Sequence, residues 1–500
     1  MTAVIILPEP VTRALGVLEN AGFDAYVAGR CVRELVLGNS PQDFDIVTNA
    51  GLTDILFAFR DYRISDEGMA RGEILVNVVG MFIQVSPYRR EVFGSRVIYA
   101  DDLETDLFRR GFTINAMAYS PRTGLVDPFG GHSCLTGEVK RIVAIGENVT
   151  KSTRENGKPV TETYYDMSRS FTTAPHRILE AIRRCAEGDY EIEEQTRAAM
   201  RNNVSCFEYA DKKRIFTELQ RIVMGKYAAR VLEEYADILK YLLPEIEPCI
   251  GLDQRSPHHK FTVWTHIARS VGFALPEPSV RFAMLFHDLG KPECMSIDYT
   301  GRGHFKGHAE RSRLLAEGIM RRLEFERPLF DEVSWLVYHH DVEIPTDRKA
   351  LKGLLRELGA ADLRQLIQCE IADNRAKEEE TETERVKGLR ASLAALEEIE
   401  ATGECYDISQ LAVTKRDLIE HRFVFTEKEA DELLAALFDI VLDKPSFNNR
   451  LMLLDMAQRS KERLEQLAEE REQRLREQIE REKITHDRRK EPIFTKKKRQ

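Results

Sequence analysis

The stretch VAGRCVRELVLGNSPQDFDIVTNA, residues 27–50, decides the reading of the N-terminal fold. A short apolar run ends at Gly29, and CVRELVLG then reads as a helix. A strand–glycine–helix junction turns helix-start amides toward an anion. Ten residues past Arg33 comes Asp43-Phe44-Asp45. On an extended strand, side chains two apart share a face, so both carboxylates point one way while Phe44 faces the opposite core. Two carboxylates on one face, beside an anion-binding turn, suit Mg²⁺ held between protein and substrate phosphates. Such an arrangement serves two-metal phosphoryl or nucleotidyl transfer.

Working outward, residues 25–28, 44–47, 74–79 and 82–85 read as strands, and 13–20 and 31–37 as helices. Residues 1–145 are therefore expected to form a mixed α/β unit. Residues 146–170 are polar, with Gly, Pro and Thr, and read as a loop or insertion. Beyond 171 apolar residues recur at helical spacing, giving a helical segment over 171–245. Further helical segments follow at 250–380 and 385–455. Residues 456–500 read as a charged helix with a narrow apolar stripe and a basic end.

Composition bounds the function. Apolar residues make up 43% and charged residues 31%, so several cores can be buried. The net charge of −10 excludes a uniformly basic nucleic-acid coat but permits a local basic groove. No apolar run reaches the ~18 residues of a membrane span, and the start lacks a signal-peptide pattern. Eight scattered cysteines without a CxxC pair read as reduced thiols of a cytoplasmic protein.

A second segment, LFRRGFTINAMAYSPRTGLVDPFGG at 107–131, supplies Arg109 and Arg110, planar forks suited to phosphate oxygens. Asn115 adds both a donor and an acceptor. Lys212-Lys213-Arg214 and the cations of 348–356 are candidate contacts to an RNA backbone. Residues 250–380 hold eight of the twelve histidines, far above an even share. His266, His287-Asp288 and Asp373 fall on expected helices and suit a divalent metal, with positions left open for an activated water. His308 and His339 could complete a second metal position.

The order GxxVRxxxLG…DFDIxT, RRxFTINAMAY, DPFGG and RILxAIR, spanning about residues 11–225, resembles the class II tRNA nucleotidyltransferase/poly(A) polymerase family. Members add CCA to tRNA 3′ ends from CTP and ATP. The resemblance implies an α+β fold: a mixed-sheet nucleotidyltransferase head, then an all-helical neck, body and tail. It implies that Asp43 and Asp45 bind the catalytic metal. It also implies that Arg33, Arg110, Arg177 and Arg183 hold the incoming nucleotide, with Gly29 at the anion turn. The run from His266 to Asp373, with LGKP after His287-Asp288, resembles the HD phosphohydrolase domain. That likeness implies a metal-dependent activity on phosphate monoesters or cyclic ends.

Departures from the family pattern lie at the nucleotide pocket. Arg30 stands for a second glycine, Gly111 for the last residue of RRD, Ala174 for the Asp of EDxxR, and Glu180 for an arginine. Losing one partner of a base-reading pair weakens discrimination most. The leading expectation is CCA addition to tRNA. The alternatives are an HD-type phosphohydrolase that acts on RNA ends or nucleotides, or a non-catalytic tRNA-binding relative.

Overall fold

The computed structural model describes residues 5–488 apart from 66, 94–95, 156–157 and 257–258. The N-terminal region forms β1 (Ala25–Ala28), β2 (Asp45–Thr48), β3 (Arg63–Ser65), β4 (Ile74–Val78) and β5 (Met81–Pro87), then a ribbon of β6 (Arg89–Phe93) and β7 (Arg96–Tyr99). Next come β8 (Ala118–Ser120) and β9 (Gly124–Val126). Seven of these make one sheet in the order β3-β4-β5-β2-β1-β8-β9. β2 runs parallel to β5 and antiparallel to β1, so the sheet is mixed as expected. Register sets Asp45 beside Gln84.

The helix Glu9–Asn20 buries Val11, Ala14, Leu15 and Leu18, a helical spacing that gives one apolar face to the sheet. Phe44 and Ile46 enter that same core, while Val47 packs with Ala28 and Ala118 in a second cluster. This alternation puts Asp45 on the face opposite Phe44.

Residues 146–170 are not a loop. They hold β11 (Glu147–Glu155) and β12 (Lys158–Asp166), a nine-pair antiparallel ribbon, after β10 (Lys140–Ile142). At the ribbon's foot Glu147, Asn148, Tyr164 and Tyr165 are exposed, in keeping with the polar composition. Its β-branched residues and the Asn-Gly between the strands were the strand signals. The Asn-Gly itself lies outside the described residues. β13 (Tyr190–Ile192) pairs in parallel with β10, and helices follow.

The chain divides into two compact units, residues 1–342 with 368–383, and residues 343–367 with those from 384 onward. The second unit packs Leu418, Leu437, Val441 and Leu453 between helices that include Glu427–Asp443 and Arg450–Arg488. Three of the cations expected to meet RNA at 348–356 pair inside it, while Arg356 is exposed. Arg348 pairs with Glu398 and Glu404, Lys349 with Asp439, and fully buried Lys352 with Glu404 at 2.8 Å. The basic run of 489–500 lies outside the described residues. Among the described residues no helix is long and apolar enough to cross a membrane.

Candidate active site

A cavity of ≈ 1590 Å³ opens in the first unit, and Asp45, Glu73, Arg33, Arg110, Asn115 and Arg177 are among its lining residues. Asp45 projects from the start of β2. Burial raises its pKa, and the nearby charges of Glu73 and Asp43 raise it further against the pull of Arg110. Asp43, just before the strand, is exposed and does not line the cavity itself. Glu73, immediately before β4, is the carboxylate that sequence reasoning missed. It leads into β4, two strands removed from β2 in the sheet order, and binds Arg89 at 2.6 Å.

Gly29 has φ +83°, and a side-chain carbon there would collide with the Arg110 guanidinium. Gly29 therefore admits the arginine rather than lining the cavity. Arg109 and Arg110 are both clamped by Asp106, at 3.1 and 2.8 Å, and Asp106 also accepts the Arg89 backbone N–H at 3.0 Å. Burial pushes the Asp106 carboxyl up, but Arg110 and Arg109 outweigh it and hold its pKa below the ordinary 3.8. Stability from this cluster is thus complete above the ordinary carboxylate range and is lost as pH falls through the depressed folded value. Asp106→Asn should cost about 3 kcal/mol at neutral pH, since it strands two buried cations. The difference from wild type should shrink on acidification, read as Tm against pH.

Arg33 is almost fully buried, paired with Glu34 at 2.9 Å and donating to Asn115 Oδ1. Asn115 also donates to Glu180 at 3.4 Å. Arg177 lines the cavity, but its guanidinium is held by backbone carbonyls: Nη1 donates to Ser170 O at 3.0 Å and Nη2 to Arg109 O. It lies against Gly111, where an added side-chain carbon would sit 2.6 Å from it. Burial pulls the Arg177 pKa down to about 10.

Arg183 is a correction. It is 3% exposed and caged by Glu218, Glu187 and Glu180, so it does not line the cavity. One residue on, a turn of about 100° brings Arg184 to the cavity instead, with its Nε unpartnered. Exposed Arg30 adds a further cation to the lining.

The histidine cluster sits apart, on helices that include Val263–Phe273, His308–Arg322 and Ala360–Ala376. His266 and His287 bring their Nε2 atoms to 3.2 Å of one another, and His308 and His340 to 3.1 Å. Asp288 stands between the pairs: Oδ2 is 3.3 Å from His266 and 3.2 Å from His287, and Oδ1 is 3.4 Å from His308. Asp373 reaches His266 at 2.9 Å. His339, expected at the second position, is replaced there by His340. In the pair His339-His340 only the helix phase decides which ring faces inward. His339 stacks on Trp335 and bonds its carbonyl, while buried His340 faces His308.

The set fits a divalent cation. His287, His308 and His340 each place Nδ1 on a backbone carbonyl at 2.7–2.9 Å, which puts the proton there and leaves the Nε2 lone pair inward. For His308 and His340 this leaves two lone pairs facing each other at hydrogen-bond distance, which calls for a positive charge between them. Asp288 is buried, and its Oδ2 faces the Lys291 ammonium at 2.6 Å as well as the two imidazoles. Burial opposes charge on His287, yet Asp288 and Asp373 outweigh it and raise its pKa to about 9, the same demand met by a proton. In the head, Asp45 is a hard oxygen ligand of the kind Mg²⁺ takes, and the nearby charges of Glu73 and Asp43, which push its pKa up, would be offset by a cation there.

Residues 25–141 match the poly A polymerase head domain, 189–250 the "Probable RNA and SrmB- binding site of polymerase A", and 263–385 the HD domain. The chain thus carries a poly A polymerase head and RNA-binding region followed by an HD domain. It is 28% identical over 262 residues to a CCA-adding enzyme of Listeria monocytogenes, covering 50% of this chain and 60% of that one. It is also 28% identical over 352 residues to a CC-adding tRNA nucleotidyltransferase of Thermus thermophilus, covering 66% and 71%. The fold is shared with the Bacillus stearothermophilus CCA-adding enzyme in complex with CTP, at TM-score 0.59 and 20% identity over 92% of this chain and 100% of that one. The Thermotoga maritima CCA-adding enzyme complexed with tRNA aligns at 0.52, with 20% identity over 91% and 96%.

Proposed function

We propose that the head transfers nucleotides from CTP and ATP to a tRNA 3′ end, and that the observation carrying this is Asp45, with Asp43 and Glu73 near it, facing a cavity walled by arginines. Asp43 and Asp45 would hold Mg²⁺, which would make the attacking 3′ hydroxyl more acidic and offset charge on the departing pyrophosphate. Arg110, fixed by Asp106, lines the cavity close enough to Asp45 for their charges to interact, and in this reading it neutralises the triphosphate. Arg30, Arg184 and Arg214 extend the positive wall. Arg214 belongs to the 212–214 run, so this basic stretch serves the cavity. The acceptor stem is read by shape and backbone along the neck.

The test is incubation with tRNA lacking CCA, Mg²⁺ and labelled CTP and ATP. Extension of the 3′ end is expected, and no incorporation above an Asp43→Ala control overturns the reading. Glu73 acts as the third carboxylate that steadies the cation held by Asp45. Glu73→Gln should lower kcat by about tenfold and raise the Mg²⁺ concentration needed for half-maximal rate, as loss of an outer cation partner does. A fall in rate with an unchanged Mg²⁺ requirement would make Glu73 only a partner for Arg89.

A second activity is favoured by the histidine cluster: metal-dependent hydrolysis of phosphate esters in the HD domain. The His/Asp set would hold a divalent cation, which would supply Lewis acidity and ease deprotonation of an attacking water. Lys291 sits 2.6 Å from Asp288 and Lys377 2.6 Å from Asp373, two ammonium groups that place positive charge beside the cluster where a phosphate would bind in this reading.

A further inference from the structure

We infer that the foot of the β11–β12 ribbon is a nucleobase-binding wall: the Tyr165 ring stacks on the base of the incoming nucleotide, and the Asn148 amide pairs its edge. This rests on the nucleotidyl-transfer reading and names the residues that bind its substrate's base.

Asn148 and Tyr165 stand directly opposite in the ribbon register, so their side chains share one face. Both line the same cavity as Asp45, Arg177 and Ala174. The foot is joined to the wall that holds Arg177. Tyr165 Oη accepts the Gly146 N–H at 2.9 Å, and the next residue back, Ile145, donates its N–H to Gly111 O at 2.9 Å. Ser170 Oγ donates to Ile145 O at 2.7 Å, and Ser170 O accepts from Arg177. Gly146 lies close under the tyrosine, where a side-chain carbon would sit 2.8 Å from the ring. Arg169 ties the foot to β6 through Glu91 and Glu147.

The chemistry fits the gap in the pocket. Arg177 offers donors only, already committed to carbonyls, and Ala174 offers nothing. Cytosine and adenine each present an amino donor beside a ring-nitrogen acceptor, so their edge needs an acceptor and a donor together. Asn115 is occupied by Arg33 and Glu180, whereas Asn148 is exposed on the cavity side with both functions. Tyr165 is 49% exposed with its hydroxyl already used, so a ring face is left for stacking.

The experiment is equilibrium binding of CTP and ATP to the full chain with Mg²⁺, measured by titration calorimetry, with tRNA binding measured in parallel. Tyr165→Ala should weaken both nucleotides by about tenfold or more, the worth of one aromatic stack. Tyr165→Phe keeps the ring and should stay within about threefold of wild type, separating stacking from a disturbed foot. Asn148→Ala should narrow the preference for CTP over UTP. Unchanged nucleotide binding in Tyr165→Ala overturns the inference. So does equal loss in Tyr165→Phe, weakened tRNA binding alone, or a wild-type chain that binds neither nucleotide. A wild-type chain that binds nucleotides through Tyr165 but does not extend tRNA upholds the wall and overturns the transferase reading.

Discussion

Asp45→Asn is expected to abolish nucleotide incorporation, a loss on the order of 10³-fold or more for removal of a buried charge aimed at the reacting centre. The fold should not suffer. Burial and the charges of Glu73 and Asp43 already push the Asp45 pKa up, which means that the ionised form is disfavoured in the folded chain. For a carboxyl with a raised folded pKa, stability is greatest at low pH and is lost as pH rises through the folded value. Neutralising it removes that loss, so the Tm of Asp45→Asn at neutral pH should equal or exceed wild type. Incorporation assays and thermal melts on the same preparation check both halves. Retained incorporation, or a lost rate accompanied by a collapsed Tm, would remove Asp45 from the reaction.

The second large effect is expected at Asp288. Its two oxygens face different histidine pairs, so Asp288→Ala strips both cation positions at once. Metal content after dialysis should drop to background, and any metal-dependent phosphate release by about 10³-fold. Tm should fall as well. Burial alone would raise the Asp288 pKa, but His287 and Lys291 outweigh it and hold it well below the carboxylate range. Its removal takes from those buried cations a carboxylate that offsets their charge, leaving Lys291 to the Gln254 amide. Incorporation of CTP and ATP should persist, because the head cavity has none of these residues in its lining. Asp373→Ala offers the contrast, since it touches only the His266–His287 pair and should spare the His308–His340 position.

The departures at the nucleotide pocket acquire a physical meaning in the fold. Gly111 and Arg177 are one feature. The arginine occupies the space that a side chain at 111 would fill, and it is held there by carbonyls instead of a carboxylate at 174. Glu180 does not simply reverse a charge near phosphate. Burial would raise its pKa, but Arg184, Arg183 and Arg177 outweigh it and keep it ionised.

Local patterning carried much of this protein on its own. The glycine-ended strand, the DFD alternation and the helical spacing of apolar residues specify the mixed-sheet head and the helical remainder, because strand and helix periods are properties of a few neighbouring residues. They also single out Asp45, Arg110 and the His266–His287–Asp288 set. Tertiary structure decided whatever depended on rotation or on distant strands. Arg184 rather than Arg183 lines the cavity, and His340 rather than His339 joins the cluster, because about 100° of helix phase separates neighbours. Glu73 joins Asp45 only through the sheet order β4-β5-β2. The polar stretch at 146–170 became a ribbon with Asn148 and Tyr165 on one face, since cross-strand register, unlike composition, is fixed only when the two strands pair.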